Sequence, residues 1–375
     1  MNFEEHVAKA EFAAAGIPVP EGRVVATAAE AEAAALALGP VAVKAQVPAG
    51  KRGKAGAIAL ADTPAEAGAA ARRILGMTLG AHKVERVLVE KRIAIARELY
   101  AAVLNDPASK GPLVLFSTLG GMDIEEAAAR DPKSVRRHPV GILAGFTARD
   151  AEKMLGGLDL GRAQAPLADI IARLYDFWRT RDAELVEINP LAVIASGELV
   201  ALDGKLALDD GALVRQESLA KRGLAEPLTG LEARGRALGL RFIELDGNVG
   251  ILANGAGLTM TTMDAVRHHG GRPANFLEIG GEAYTQSKPA LELVLANPGV
   301  RSLVVNFCGA FARTDVMADG VVKAWEDLRP KIPVFFSIHG TGEEEAVRLV
   351  KDRLGITPFD SMDDAVKSAV EAAAA

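Results

Sequence analysis

Short apolar runs alternate with glycine turns and amphipathic stretches through the second half of the chain. The run 249–253 is followed at once by Asn254-Gly255-Ala256-Gly257 and then by a helical pattern through His268. The run 274–277 leads to Gly280-Gly281, and 302–307 leads to Gly309 and a helix ending about Leu328. A fourth run, 332–338, passes through Gly340 and Gly342 into a helix over 343–354. Strand, glycine turn and helix in repetition predict an open parallel sheet with helices on both faces. In such a sheet the turns at the carboxyl ends of the strands form the working edge.

The first half has a different rhythm. Helices are predicted over 3–14, 28–38, 64–75 and 163–179, and strands over 41–46, 57–60, 86–90, 98–104 and 113–117. Residues 184–194 and 198–203 read as a hairpin turning about Ser196-Gly197. This is an α+β domain whose strands need not be parallel. A polar stretch from Gln216 to Leu240, with Pro227 and Gly230, separates the two patterns. It sets the domains at 1–225 and 240–375.

A length of 375 residues suits two domains, and 49% apolar with 25% charged residues describes a soluble globular protein. A net charge of −6 gives no global attraction to nucleic acid or to acidic membrane surfaces. The single cysteine, Cys308, excludes an intrachain disulfide and argues against a thiolate metal cluster. It reads as a small packed residue in or after a strand, and it fits a reducing, cytoplasmic setting. The early acids Glu4 and Glu5 argue against a targeting leader, and no apolar run approaches the roughly 20 residues of a membrane span. The alanines at 372–375 are expected to fray.

Four groups of residues carry candidate chemistry. Gly50-Lys51-Arg52-Gly53-Lys54-Ala55-Gly56 is a basic glycine loop directly after a strand. Its glycines let the backbone approach a ligand and its cations suit phosphate oxygens, although the spacing is not that of a P-loop. A solvated basic turn is the competing reading. Lys44 stands inside an apolar strand, where a lysine either keeps an edge strand soluble or lines a cleft with a partner. In the hairpin, Glu187 and Asn189 share one face, and a turn at Ser196-Gly197 brings Asn189 nearly opposite Asp203. One amide oxygen and one carboxylate, with phosphate oxygens and water, would hold magnesium; a plain polar hairpin face is the alternative. Finally, Asn254–Gly257, Gly280-Gly281 and Gly309-Ala310 lie at one sheet edge, as an anion-binding rim or simply as tight turns. None of the six histidines has metal-ligand spacing, and His268-His269 reads as a helix C-terminus.

These residues carry a family resemblance. Asn2-Phe3-Glu4-Glu5, the loop 49–56, Val186-Glu187-Ile188-Asn189-Pro190-Leu191, Leu202-Asp203-Gly204-Lys205, Asn254-Gly255-Ala256-Gly257-Leu258 through Thr262-Met263-Asp264, and the stretch 271–277 follow in one order. In that order, and over essentially the whole chain, the sequence resembles the β subunits of succinyl-CoA synthetase. The resemblance implies an α/β protein with an N-terminal ATP-grasp domain followed by a flavodoxin-like parallel-sheet CoA-ligase domain. It implies a tricarboxylic acid cycle type of reaction, in which a small carboxylic acid such as succinate, CoA and ATP or GTP give acyl-CoA, nucleoside diphosphate and phosphate. The phosphoryl group then travels on a histidine of a partner α subunit, which also binds CoA, in a heterodimer or heterotetramer. By matching position, Lys44, Arg52, Gly53, Glu90 and Glu98 contact the nucleotide, Asn189 and Asp203 hold Mg²⁺, and Glu187 approaches the phosphohistidine. Asn254, Ala310, Phe311 and Ala312 match the acid-side loops. Phosphoryl transfer of this kind rests on charge neutralisation and positioning.

The sequence departs from the family pattern in two places. Pro48, Lys51 and Ala57 alter the nucleotide loop, and Leu119 stands where a glutamate is usual. The stretch 307–315, Glu282, Tyr284 and His339-Gly340-Thr341 alter the acid-side rim, where Phe311 adds bulk. The reaction class is therefore firmer than the acid, and a substrate other than succinate is open. The competing functions are an ATP-grasp ligase of another kind and a nucleotide-binding paralogue without catalysis.

Overall fold

Alanine-rich helices and β-branched strands build a layered first unit, Met1–Glu226, and a parallel sheet builds a second, Pro227–Ala375. The structure, a computed structural model, describes residues 1–48, 50, 52–225, 228–279 and 286–375. Ala49 and Lys51 of the basic loop, the Gly280-Gly281 turn, Glu282 and Tyr284 lie outside the described residues.

The first unit holds two main antiparallel sheets. The smaller has the strand order Gly22–Val25, Val87–Lys91, Val41–Ala45, Ile58–Ala61. Helices Ala28–Leu38 and Pro64–Ile74 share its core. Each begins at a threonine, Thr27 or Thr63, whose hydroxyl accepts the N–H of a glutamate three residues on, closing a capping box. Buried Ala31, Ala34 and Ala35 on one helix and Ala67, Ala70 and Ala71 on the other leave room for close approach at little side-chain entropy cost. The Val41–Ala45 strand is interior to this sheet, so Lys44 is a buried residue of a central strand and not an edge lysine.

The larger sheet runs Leu199–Ala201, Ala183–Val193, Arg97–Asp106, Gly111–Ser117, Val135–Pro139, with Lys205–Leu208 also paired to Ala183–Val193. Helix Gln164–Thr180 buries Leu167, Ile171 and Leu174 in its core. The opening helix, Glu5–Ala14, adds Val7, Ala8 and Phe12 to the same core. Glu5 and Lys9, four residues apart, share one helix face and point to the smaller sheet, where Lys44 and Glu90 lie.

The hairpin turns at Gly197, whose φ of +90° favours glycine. Its register pairs Leu191 with Ala201 and Glu187 with Lys205, which puts Asn189 and Asp203 at opposing positions. The Leu202 N–H donates to the Pro190 carbonyl at 3.1 Å between those pairs.

The second unit has the strand order Arg241–Glu244, Asn275–Ile279, Val249–Asn254, Ser302–Gly309, Val334–Gly340. The first strand is antiparallel and the others are parallel. Buried residues of Ser287–Ala296 and Thr314–Leu328 form one core with the sheet, and those of Ala256–His268 and Met362–Ala374 form another. Strand order reverses between Val249–Asn254 and Ser302–Gly309, the switch point at which open sheets bind ligands.

Two features differ from the sequence reading. Helix Met362–Ala374 runs through all but the last of the alanines at 372–375 and buries Ala373 in a stripe with Ala365 and Ala369, leaving Ala374 and Ala375 exposed. Cys308 is exposed because it stands at the carboxyl end of its strand, past Val304 and Asn306, which are buried on the same face. No described helix is long and apolar enough to cross a membrane.

Candidate functional site

A knot of buried charge joins the opening helix to both sheets of the first unit. Glu5, with its side chain 1% exposed, is the centre. Its Oε1 accepts from Lys9 Nζ at 3.2 Å and from Lys44 Nζ at 3.1 Å, and its Oε2 lies 2.7 Å from Arg52 Nη1. Lys9 and Lys44 both pair with the Glu90 carboxylate as well. Both ammonium groups also donate to the Leu202 carbonyl, at 2.8 and 2.5 Å. Arg52 Nη2 donates to Asp203 Oδ1 at 2.7 Å, and Arg52 Nη1 to the Ala45 carbonyl at 2.8 Å.

Three cations thus face three carboxylates, and the knot is neutral as a whole. That balance is what permits its burial, since an unmatched buried charge is costly. Desolvation alone would push the Glu5 carboxyl up; Lys44, Arg52 and Lys9 outweigh it and hold Glu5 well below the usual carboxylate range. Burial opposes the charge on Lys44 in the same way, yet Glu5 and Glu90 hold its pKa above the ordinary lysine value.

A cleft of about 320 Å³ opens against this knot. Glu5, Arg52, Gly50, Tyr100, Glu187, Asn189, Asp203 and Lys205 all line it. Lys44 and Glu90 are not among its lining residues; they form the layer behind Glu5 and Arg52. Gly53 sits in the turn beyond, where its carbonyl accepts the Gly56 N–H at 3.0 Å. Lys54 turns outward to Asp123 and Glu126. Glu98 lies beside the Gly120–Gly121 turn, close enough that a Cβ on Gly121 would meet its carboxylate at 2.3 Å.

Asn189 orients the same turn: its Oδ1 accepts the Gly121 N–H at 2.8 Å and its Nδ2 donates to the Met122 carbonyl at 2.9 Å. The Asn189-Pro190 peptide is cis. Asp203 Oδ1 also accepts the Gly204 N–H at 2.7 Å. Among the described residues, no group of three or more His, Cys, Asp or Glu side chains could hold a metal by itself. The donor set fits magnesium nonetheless: an amide oxygen and a carboxylate line one cleft, and this ion commonly takes one or two protein oxygens plus phosphate oxygens and water.

Glu187 stands on the same strand as Asn189, two residues away and on the same face. The Tyr100 hydroxyl donates to its Oε2 at 3.1 Å. Burial holds the Glu187 carboxyl above its ordinary value, with the Tyr100 hydrogen bond and the Lys205 charge pulling the other way.

In the second unit, Asn254 closes the switch point. Its Nδ2 donates to the Cys308 carbonyl and its Oδ1 accepts the Cys308 N–H, both at 2.8 Å. The side-chain amide thereby joins the carboxyl ends of two parallel strands. Thr341 shapes the adjoining loop: its N–H donates to the Gly309 carbonyl at 2.8 Å, and its hydroxyl to the Ala310 carbonyl at 2.9 Å. Ala312 is half-buried, while the Phe311 side chain is fully exposed, at 104%. Arg313 is paired with Asp315 at 2.8 Å.

Of the residues proposed from sequence, Arg52, Asn189, Asp203 and Glu187 meet at the cleft and Asn254 with 310–312 at the switch point, while Lys44, Gly53, Glu90 and Glu98 lie outside the cleft lining. Glu5, Lys9 and Tyr100 escaped sequence reasoning. The available signal for the first two was a glutamate–lysine pair four residues apart on the helix that also carries Val7, Ala8 and Phe12.

Comparison with known proteins follows the same division. A family model described as ATP-grasp domain matches residues 2–193, and one described as CoA-ligase matches 252–370. The succinate–CoA ligase [ADP-forming] subunit beta of Roseiflexus sp. (strain RS-1) is 41% identical over 378 residues, covering 100% of this chain and 99% of that protein. The succinate–CoA ligase [GDP-forming] subunit beta of Thermus thermophilus is 41% identical over 355 residues, covering 94% of each. Among solved structures, ATP citrate lyase from Methanothrix soehngenii has a like fold, with a TM-score of 0.66 at 23% identity and 99% of each chain covered.

Proposed function

This chain belongs to the succinate–CoA ligase β-subunit family, the β subunits of nucleoside-diphosphate-forming acid–CoA ligases, and from that premise we propose how its residues divide the work. Arg52 neutralises the phosphates of ATP or GTP from the cleft wall, Lys44 adds its positive charge from the layer behind, and the Gly53 turn lies beside them. Glu90 sets the Lys44 ammonium from behind, and Glu98 supports the nucleotide side through the Gly120–Gly121 turn. Asn189 and Asp203 hold Mg²⁺, which supplies charge neutralisation to the phosphate oxygens when bound.

Glu187 receives the histidine of a partner α subunit. Its carboxylate, oriented by the Tyr100 hydroxyl at 3.1 Å, accepts an imidazole N–H and so fixes the ring nitrogen that faces the phosphate. The phosphoryl group leaves the nucleotide for that histidine, and the acid and CoA later consume it, giving acyl-CoA and phosphate. CoA is bound on the α subunit, in a heterodimer or heterotetramer working in the cytoplasm. The acid meets Asn254, Ala310, Phe311 and Ala312. Succinate is the acid in the names of the relatives; the bulk of Phe311 favours a different small acid.

One observation carries this reading: Arg52, Asn189, Asp203 and Glu187 line a single cleft although they come from two separate stretches of chain. The test is reconstitution. The purified chain alone is expected to bind Mg–ATP saturably and to form no acyl-CoA, with synthesis appearing on addition of an α subunit. Robust synthesis by the lone chain overturns the two-subunit reading.

A further inference from the structure

The geometry points to Glu5 as the positioning residue of the nucleotide site, the one carboxylate that fixes both Arg52 on the cleft wall and Lys44 in the layer behind it. This rests on the reading that the cleft takes a Mg–nucleotide. Glu5 Oε1 holds Lys44 at 3.1 Å and Glu5 Oε2 lies 2.7 Å from Arg52. Glu90 touches Lys44 but no contact joins it to Arg52, and Asp203 holds Arg52 alone of the two. Glu5 also lines the cleft, as Glu90 does not.

Its carrier is rigid. Glu5 occupies the first turn of the opening helix, whose Val7 and Phe12 are locked in the core, at the helix end whose dipole favours an anion. A flexible lysine or arginine would otherwise lose rotamer freedom on meeting phosphate. Glu5 has already ordered both. Lys9, 3.2 Å away, is the counterweight that keeps the knot neutral.

The experiment is steady-state kinetics on the reconstituted two-subunit enzyme, varying Mg–ATP, acid and CoA separately in E5Q, E5Q/K9Q and R52Q. E5Q keeps size and loses charge, leaving three cations against two carboxylates. E5Q/K9Q restores the balance, two against two, and so separates folding from positioning. Both Glu5 variants are expected to raise the Mg–ATP KM about tenfold or more, the scale of one lost charge-assisted hydrogen bond, with acid and CoA KM nearly unchanged. E5Q/K9Q is expected to melt above E5Q. If the double variant returns the Mg–ATP KM to the parent value, Glu5 is only a neutralising charge and the proposal fails. An unchanged or lowered Mg–ATP KM in E5Q overturns it as well. If R52Q itself leaves that KM unmoved, the phosphate reading fails and takes the proposal with it; if R52Q raises it and E5Q does not, only the proposal falls.

Discussion

Arg52 Nη2 donates to Asp203 Oδ1 at 2.7 Å, so the guanidinium assigned to phosphate and the carboxylate assigned to metal hold each other. Binding of a metal–nucleotide must exchange these partners: phosphate for Asp203 at Arg52, and metal for Arg52 at Asp203. The exchange conserves charge at each side, which keeps its cost small inside a buried site. Asp203→Ala removes the carboxylate proposed to hold the metal and leaves Arg52 with Glu5. Magnesium-dependent nucleotide turnover by the two-subunit enzyme is expected to fall by about 10²-fold or more, the scale seen when one preorganised charge is removed from a transition state. Unchanged turnover across a magnesium titration takes Asp203 out of the metal site.

The pH profile tests Glu187. Burial raises its pKa above 4.5, and the Tyr100 hydroxyl counteracts this by stabilising the ionised form. If the carboxylate is the working form, activity falls as pH drops through that raised value, so the acid limb lies above 4.5. Tyr100→Phe removes a hydrogen bond to the charged form, which raises the Glu187 pKa further. The acid limb of kcat is therefore expected to move to higher pH in Y100F. A limb that stays in place, or moves to lower pH, contradicts the role given to Glu187.

Phe311 offers a test of substrate choice. Its ring is fully exposed, three residues after Cys308, the partner of Asn254 at the switch point. Phe311→Ile is expected to leave stability nearly unchanged, because an exposed ring has no packing to lose. The same change is expected to shift kcat/KM ratios among small carboxylic acids by roughly 10-fold, the low end of what a single methylene produces in a pocket. Competition assays with mixed acids measure the ratio directly, and an identical acid profile clears this loop of selectivity.

Local signals in the sequence located much of the fold. Helix Ala28–Leu38 is bounded by the Thr27 cap and by Gly39, both visible in the sequence. The opposition of Asn189 and Asp203 is legible because a hairpin's register follows from its turn, and Gly197 marks the turn. The strand Gly22–Val25 has no such marker: it is short and largely exposed, and it forms only by pairing with Val87–Lys91. The exposure of Cys308 and the burial of Ala373 lie beyond local sequence for one reason. Exposure at a strand end and burial at a chain end are both decided by neighbours distant in sequence.

The same limit explains the candidate site. Each charged residue of the knot is visible alone, and Lys44 in an apolar strand asks for a partner. Which partners answer depends on packing the opening helix between two sheets, and no periodicity encodes that. Glu5 and Lys9 look like an ordinary surface pair of a helix until the structure shows both buried.

The neutral knot also has a consequence during translation. Its last carboxylate, Asp203, is made more than a hundred residues after Glu90, the one before it. Until then the nascent chain carries Lys9, Lys44 and Arg52 against Glu5 and Glu90, one positive charge in excess. A half-made first domain therefore cannot close over these groups without burying an unmatched cation, and domains tend to fold as units as they emerge. Completion of the hairpin releases that block, so the grip on nucleotide is acquired late and all at once.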